Sequence, residues 1–175
     1  MNSVVIRFVV SMFVIAVSGA EAAACPTDIP ETNPDTIYLD HGDGTVTDIR
    51  TGLMWKKCTE GLSGGGCQSG SAQGFSWSNA LSHAEASDFA GYNDWRLPNV
   101  KELSTLIEHC RFMPSINTSR FPNTPIDSFP RDAFWSSSPV ALDFDRAWFV
   151  SFWLGDISGS SRSHSRLIRL VRAGK

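Results

Sequence analysis

Charge of either sign is scarce in this chain, at 19% of 175 residues, and the formal balance is only −3. That leaves no whole-chain basic footprint of the kind nucleic-acid binding requires. No C-x-x-C pair occurs, and His41, His83, His109 and His164 are widely scattered, so the ligand spacing of a zinc site is missing. No stretch beyond residue 24 is apolar for long enough to span a bilayer. No segment repeats at the spacing of a solenoid. Core-forming material, by contrast, is plentiful. Eleven Phe, six Trp and a hydrophobic fraction of 42% exclude a disordered chain. They suit one domain of about 150 residues once a leader is removed.

Residues 1–24 read as that leader. Arg7 supplies a short positive region, Phe8 to Val17 an apolar one, and Ala20-Glu21-Ala22 and Ala22-Ala23-Ala24 both match A-x-A cleavage patterns. The apolar run is short for an uncleaved anchor. Three alanines before Cys25 make a poor lipidation signal. The expected mature domain is therefore 25–175, exported to the periplasm, the cell surface or the medium, with no membrane span of its own.

Four cysteines then meet an oxidising compartment, which reads as two disulfides, with three pairings open to them. Cys58 and Cys67 flank the Gly-rich stretch Thr59 to Gly66 and can close a local loop, so Cys25 is left for Cys110. In the chain-entropy model the two loops contribute about 2.7 and about 4.6 kcal/mol.

Along the mature chain, Cys25 to Asp35 is Pro-rich and polar and predicts an extended arm held only through Cys25. Thr36 to Asp40 and Thr45 to Asp48 flank His41-Gly42-Asp43-Gly44, a hairpin signal. Leu53-Met54-Trp55 follows as a buried strand, and Gly61 to Gly74 as a loop. Ser76 can cap a helix whose Trp77, Ala80, Leu81 and Ala84 share a face, ending near Gly91. Asn99, with Glu102 three residues on, opens a second helix whose stripe is Val100, Leu103, Leu106, Ile107 and Cys110. Phe112 to Pro130 is a long loop with four prolines. Strand patterns return at Phe134 to Ser137, Ala147 to Trp153, Asp156 to Ser160 and Leu167 to Val171. The fold class expected is α+β: two helices on short, mostly antiparallel sheets, closed by pairing of terminal strands.

Several of these segments, in order, resemble the Lcl C-terminal domain family, named for a Legionella collagen-like adhesin. They are Asp40-His41-Gly42-Asp43-Gly44-Thr45-Val46-Thr47-Asp48, Thr51-Gly52-Leu53-Met54-Trp55 and Gly91-Tyr92-Asn93-Asp94-Trp95-Arg96-Leu97-Pro98-Asn99 with Lys101-Glu102-Leu103. Further on come Phe121-Pro122-Asn123-Thr124, Phe134-Trp135-Ser136-Ser137-Ser138, Ala147-Trp148 and Val171-Arg172. The similarity covers about residues 36–172. It implies a C-type-lectin-like α+β fold, related in shape to formylglycine-generating-enzyme domains, and an extracytoplasmic binding role. For the founding member that role is adhesion to sulfated glycosaminoglycans. In some proteins of that fold the terminal region is a variable ligand surface. Here the stretch Ile157 to Ser165 is Ser-rich where relatives are often Asn-rich, and no Asn follows Asn123.

Several chemical patterns fit duller roles better. Asp40 to Asp48 lacks oxygen ligands at the positions a calcium loop needs and suits a hairpin turn. Gly61-Leu62-Ser63-Gly64-Gly65 matches G-x-S-x-G, but it sits within the Cys58–Cys67 loop and opens no helix. Asp143 and Asp145 read as solvated loop carboxylates. Trp55, Trp77, Trp95 and Trp135 read as core, with Arg96 paired to a nearby carboxylate. Asn117-Thr118-Ser119 matches a glycosylation acceptor, which matters only in a eukaryotic secretory host.

The feature that points to function is charge placement. Residues 146–175 hold Arg146, Arg162, Arg166, Arg169, Arg172 and Lys175 against Asp156 alone, while 25–145 hold 8 basic and 16 acidic side chains. A cationic segment on an acidic domain can focus anionic ligands, and arginine forks match sulfate and carboxylate. Internal pairing with the acidic half is the alternative. Alternation along Ala147 to Trp153 sets Phe149 and Trp153 on one side, open to stacking unless the strand is buried on both faces. Ser158, Ser160, Ser161, Ser163, His164 and Ser165 add small hydrogen-bonding groups. The candidate ligand residues are thus Phe144, Arg146, Phe149, Trp153, Asp156, Ser158, Ser160, Arg162, His164 and Arg166. Neither cofactor nor metal nor catalytic residue is expected. The partner expected is a glycan or another surface macromolecule, with self-association left open. The alternative is a structural or assembly module of an envelope or pilus complex that binds protein.

Overall fold

In the computed structural model of the protein the described residues are 24–126 and 132–174. The export signal expected at 1–24 falls almost wholly outside them, as does Lys175.

The arm from Cys25 does more than hang from its disulfide. Asn33 is buried, its side chain donates to the Ile107 carbonyl at 2.7 Å, and the Thr32 and Asn33 N–H groups both reach Glu108 at 2.9 Å. A buried donor without a partner is costly, so these bonds hold the arm against the domain. A 3-10 turn at Asp35–Ile37 replaces the first half of the expected strand, leaving β1 at Tyr38–Asp40.

The turn to β2 (Thr45–Asp48) is built by its aspartates. Asp40 Oδ1 accepts from Gly42 N–H at 3.0 Å, and Asp43 Oδ1 accepts from Thr45 N–H at 2.9 Å. Gly44 adopts φ +91°, and a Cβ there would meet the Phe89 ring at 2.8 Å, so only glycine fits. β3 (Leu53–Lys56) continues the meander, and the Gly61–Gly74 loop contains a two-residue ladder between β4 (Leu62–Ser63) and β5 (Ser69–Gly70).

Helix α1 spans Trp77–Glu85, with Ala80 and Ala84 fully buried and Ser76 at the N-cap without a capping side-chain bond. It ends well before Gly91. Ser87 and Asp88, which compete with helical main chain, precede a separate 3-10 turn at Phe89–Gly91. Helix α2 carries the expected capping box, Asn99 Oδ1 accepting from Glu102 N–H at 2.9 Å and Glu102 Oε2 from Asn99 N–H at 2.8 Å. It covers only Val100–Ser104. The Thr105 hydroxyl turns back to the Glu102 carbonyl at 2.7 Å, and Ile107 pairs with Ile116. Leu106 and Ile107 are therefore buried as expected, but in a turn, and Cys110 lies beyond it.

The C-terminal half forms β6 (Ala133–Pro139), β7 (Arg146–Ser151) and β8 (Asp156–Ser161), with β9 (Val171–Ala173) returning to the first sheet. The sheet orders are β1-β2-β3-β9 and β6-β7-β8, all antiparallel. The C-terminal strand thus pairs with β3 and joins the sheet of the N-terminal strands, the terminal pairing expected. Disulfides join Cys25 to Cys110 and Cys58 to Cys67, as the spacing predicts.

Period two divides the strands between two cores. Trp55, Phe134, Val150, Leu167 and Val171 enter one, with Leu103, Leu106 and Phe121. Met54, Trp135, Phe149, Ile168 and Leu170 enter the other, with Ala80, Ala84, Trp95 and Leu97. The α+β layout, the antiparallel sheets and the two bridges are consistent with the lectin-like architecture that the resemblance implies.

The arm generates a test. Burial works against ionisation of Glu108, but the N–H groups of Thr32, Asn33 and Cys110 outweigh it and hold the carboxyl below its ordinary range. A carboxyl that ionises more readily in the folded chain stabilises it fully above the unfolded value of about 4.3, and that contribution fades as pH falls through the folded value. Glu108→Gln is expected to cost about 1–2 kcal/mol at pH 7. In urea melts the gap from wild type narrows as the medium is acidified; an unchanged gap at pH 3 would contradict the assignment.

Candidate functional site

The hairpin β7–β8 organises the C-terminal surface. Its register runs from Arg146 opposite Ser161 to Ser151 opposite Asp156. Phe152 N–H bonds to the Asp132 carbonyl and Arg162 N–H to the Asp145 carbonyl at 2.8 Å. Even-numbered residues of β7 therefore turn their main chain toward β6 and odd-numbered ones toward β8. Within β8, residues 156, 158 and 160 bond to β7, and 157, 159 and 161 face outward.

The ten candidate residues divide along this hairpin. At one end a cleft of about 670 Å³ is lined by Arg146, Phe149, Ser158, Ser160, His164 and Arg166, together with Gly159, Ser161 and Ser165. Neither Phe144, 85% exposed and two residues before Arg146, nor Arg162, next to Ser161, is in that lining, though both adjoin residues that are. Trp153 and Asp156 lie toward the other end of the hairpin, Asp156 two residues or roughly 7 Å beyond Ser158 at about 3.4 Å per residue, and neither is in the lining. They do not share the cleft.

The aromatic contribution differs from the expectation of an open stacking platform. β7 is enclosed on both faces: Phe149 is only 3% exposed, and Val150 and Phe152 are fully buried on the other side. Phe149 instead supports a cation, with the Arg166 guanidinium 4.2 Å from its centroid. Trp153 is half-buried. Trp77, expected as core, is also half-buried: it carries Arg162 at 4.3 Å over its ring and donates Nε1 to the Ser136 carbonyl at 2.8 Å. No local signal joins a helix residue to an arginine so far along the chain.

The arginines sort into two groups. Arg172 is buried and grips Asp94 through Nε at 2.6 Å and Nη2 at 3.1 Å. Arg169 is fully enclosed, donates to the carbonyls of Lys56 and Lys57 and to Thr124 Oγ1, and faces the Phe121 ring at 4.8 Å. Burial lowers its pKa to about 9, opposed by Glu60 and Tyr38. Arg166 is buried too. Burial lowers its pKa, the Asp132 carboxylate opposes that, and Nη2 donates to Ser160 Oγ at 2.8 Å. The cationic tail is thus largely internal, because the chain carrying it runs through the middle of the fold. Arg146 and Arg162 remain at the surface, and neither has a carboxylate within ion-pair distance among the described residues. Arg146 reaches the Gly159 carbonyl, and Arg162 Nε the Arg146 carbonyl at 3.2 Å.

The cleft's described lining includes no carboxylate. His164 Nδ1 and Ser160 Oγ share a hydrogen bond of 2.9 Å, and so do the Ser161 and Ser163 hydroxyls. Such a surface offers cationic forks, hydroxyls and an imidazole, a set suited to holding an anionic, hydroxyl-rich ligand. A larger hollow of about 900 Å³ adjoins the far side of Ser165 and Arg166, against Leu62, Ala72 and Asn123 to Ile126.

The other chemical patterns are absorbed by structure. Asp40, Asp43 and Asp48 serve turns and the Lys57 and Arg50 contacts. Ser63 is exposed on β4 inside the disulfide loop. The one cluster of potential metal-ligating groups among the described residues is Cys25, Glu108 and Cys110, where both sulfurs are already bonded to each other. Asn117 is buried and donates to the Asn33 carbonyl at 2.9 Å and Asp35 at 2.8 Å, so it is no open glycosylation site.

A family model for the Lcl C-terminal domain matches residues 44–172. The chain belongs to the Lcl C-terminal domain family. The matched stretch of this Lcl C-terminal domain contains β3, both helices, the β6–β8 sheet and all ten candidate ligand residues, while Cys25 and the arm precede it. Comparison with curated proteins yields no match. No helix among the described residues is long and apolar enough to cross a membrane. That and the disulfides are compatible with an extracellular or periplasmic protein.

The two groups of arginines separate in stability. Arg169→Ala is expected to cost about 3 kcal/mol, because it leaves buried carbonyls without donors and a void beside Phe121. Arg162→Ala should cost under about 1 kcal/mol. Urea unfolding of both variants measures this, and equal losses would contradict the sorting.

Proposed function

We propose that this domain is an exported binding domain rather than an enzyme, and that it holds an anionic surface carbohydrate at the cleft beside β8. The observation that carries the reading is the cleft's composition: Arg146 at its edge, hydroxyls of Ser158, Ser160 and Ser161 and the imidazole of His164 along its wall, and no carboxylate in its described lining. A sulfate or uronate group can accept there from the Arg146 guanidinium, which has no carboxylate within ion-pair distance among the described residues. Arg162, its guanidinium 4.3 Å from the Trp77 ring centroid, extends the cationic edge. Phe144 beside it is free to contact a sugar face. The adhesion attributed to the founding member of the family agrees with this chemistry, as analogy alone. Both disulfides engage all four cysteines, which suits gripping rather than thiol chemistry.

Heparin-coated resin provides the test. The wild-type domain is expected to bind at low salt and to elute as salt rises, because the attraction is screened. The double substitution Arg146→Ala with Arg162→Ala should weaken binding about tenfold, or 1.4 kcal/mol, with the thermal melt lowered by no more than a few degrees, about what 1 kcal/mol produces. Indifference of the wild type to the resin, together with no enrichment on a glycan array, would remove the carbohydrate reading.

A further inference from the structure

The outer edge of β8 has no sheet partner among the described residues. Since residues 156, 158 and 160 turn their main chain toward β7, the N–H and C=O groups of Ile157, Gly159 and Ser161 point away from the sheet. The Ser161 carbonyl is taken by His164 N–H at 3.0 Å and the Gly159 carbonyl by Arg146, while the amides of Ile157 and Gly159 make no hydrogen bond among the described residues. Ile157 is 44% exposed. An open edge of this kind is a template for another strand.

Its two sides differ in chemistry. On one lies an apolar recess of about 220 Å³ formed by Val100, Ser104, Trp148 and Ile157. On the other lies the cleft with Ser158, Ser160 and His164. We propose that β8 accepts an extended segment of a partner protein as an added strand, and that this segment alternates apolar and acidic side chains. Successive side chains of an incoming strand point to opposite faces. One set fills the recess beside Trp148; the other enters the cleft, within reach of Arg146. A second copy of this chain fits poorly, because antiparallel pairing of two β8 edges about Gly159 sets one Arg146 against the other. This inference goes beyond the carbohydrate reading, since it engages main-chain groups that a glycan does not require.

The test uses the mature chain with both disulfides intact and a pool of nine-residue peptides alternating Val, Ile or Leu with Glu or Asp. Binding is followed by fluorescence polarisation, and the best binder by amide hydrogen exchange. The amides of Ile157 and Gly159 are expected to exchange readily in the free protein and to slow about tenfold or more on binding. Methylating the peptide nitrogens that face β8 should weaken binding about tenfold or more. Ile157→Pro should do the same, since proline is accepted on an edge whose N–H faces solvent. The methylated peptides leave the protein unaltered and keep the test independent of that variant's folding. Failure of the whole pool to bind, binding indifferent to methylation, or protection of these amides by self-association would each overturn the proposal.

Discussion

One extended segment, Leu167 to Leu170, holds the two sheets together. Leu167 exchanges main-chain bonds with β6, donating to the Ala133 carbonyl at 3.0 Å and accepting from Trp135 N–H at 2.9 Å. Three residues on, the Leu170 carbonyl accepts from Lys56 N–H at 3.1 Å, and Ile168 from Glu60 at 3.2 Å. Between them Arg169 closes the carbonyls at the end of β3. Its side chains alternate between both cores. A segment bonded on both edges and buried on both faces has no freedom to slide, since a one-residue shift would exchange its two cores.

That constraint decides where a ligand can go. With Phe149 enclosed beneath Arg166 and Val150 and Phe152 buried on the other face of β7, the proposed recognition is left to the outer edge of β8 and the turn that follows it. Arg166 immediately precedes the clamped segment, so the cleft floor is set by the core: its guanidinium lies on Phe149 and bonds to Ser160. Arg146 and Arg162, which nothing in the core needs, are the groups left facing outward. Scaffold and surface thus meet at one residue, with the rigid side inside and the adaptable serines outside.

What the sequence made legible were local matters. The Asx turn at Asp40 to Gly44, the Asn99–Glu102 capping box and the Cys58–Cys67 loop depend on residues a few positions apart, and each forms where the pattern put it. The extent of α2 was misleading because its apolar stripe does continue in burial, though not in helix. Alternation in β7 revealed two sets of side chains but not that both would be covered, since the covering elements come from distant parts of the chain. Least legible were the arginines. Arg172 meets Asp94 across 78 positions and Arg169 meets Lys56 across 113, and composition alone cannot separate these from Arg146. Six of the ten candidate ligand residues still line one cleft; Trp153 and Asp156 fall at the wrong end of their hairpin.

The central claim is that recognition happens where the cleft meets the β8 edge, and resonance mapping with a sulfated heparin oligosaccharide tests it most directly. The account predicts shifts concentrated at the guanidinium signals of Arg146 and Arg162, the His164 ring and the amides of 158–161, with the buried guanidinium of Arg169 unmoved. Shifts gathered instead around Trp153 and Asp156, or none at a saturating concentration, would contradict it.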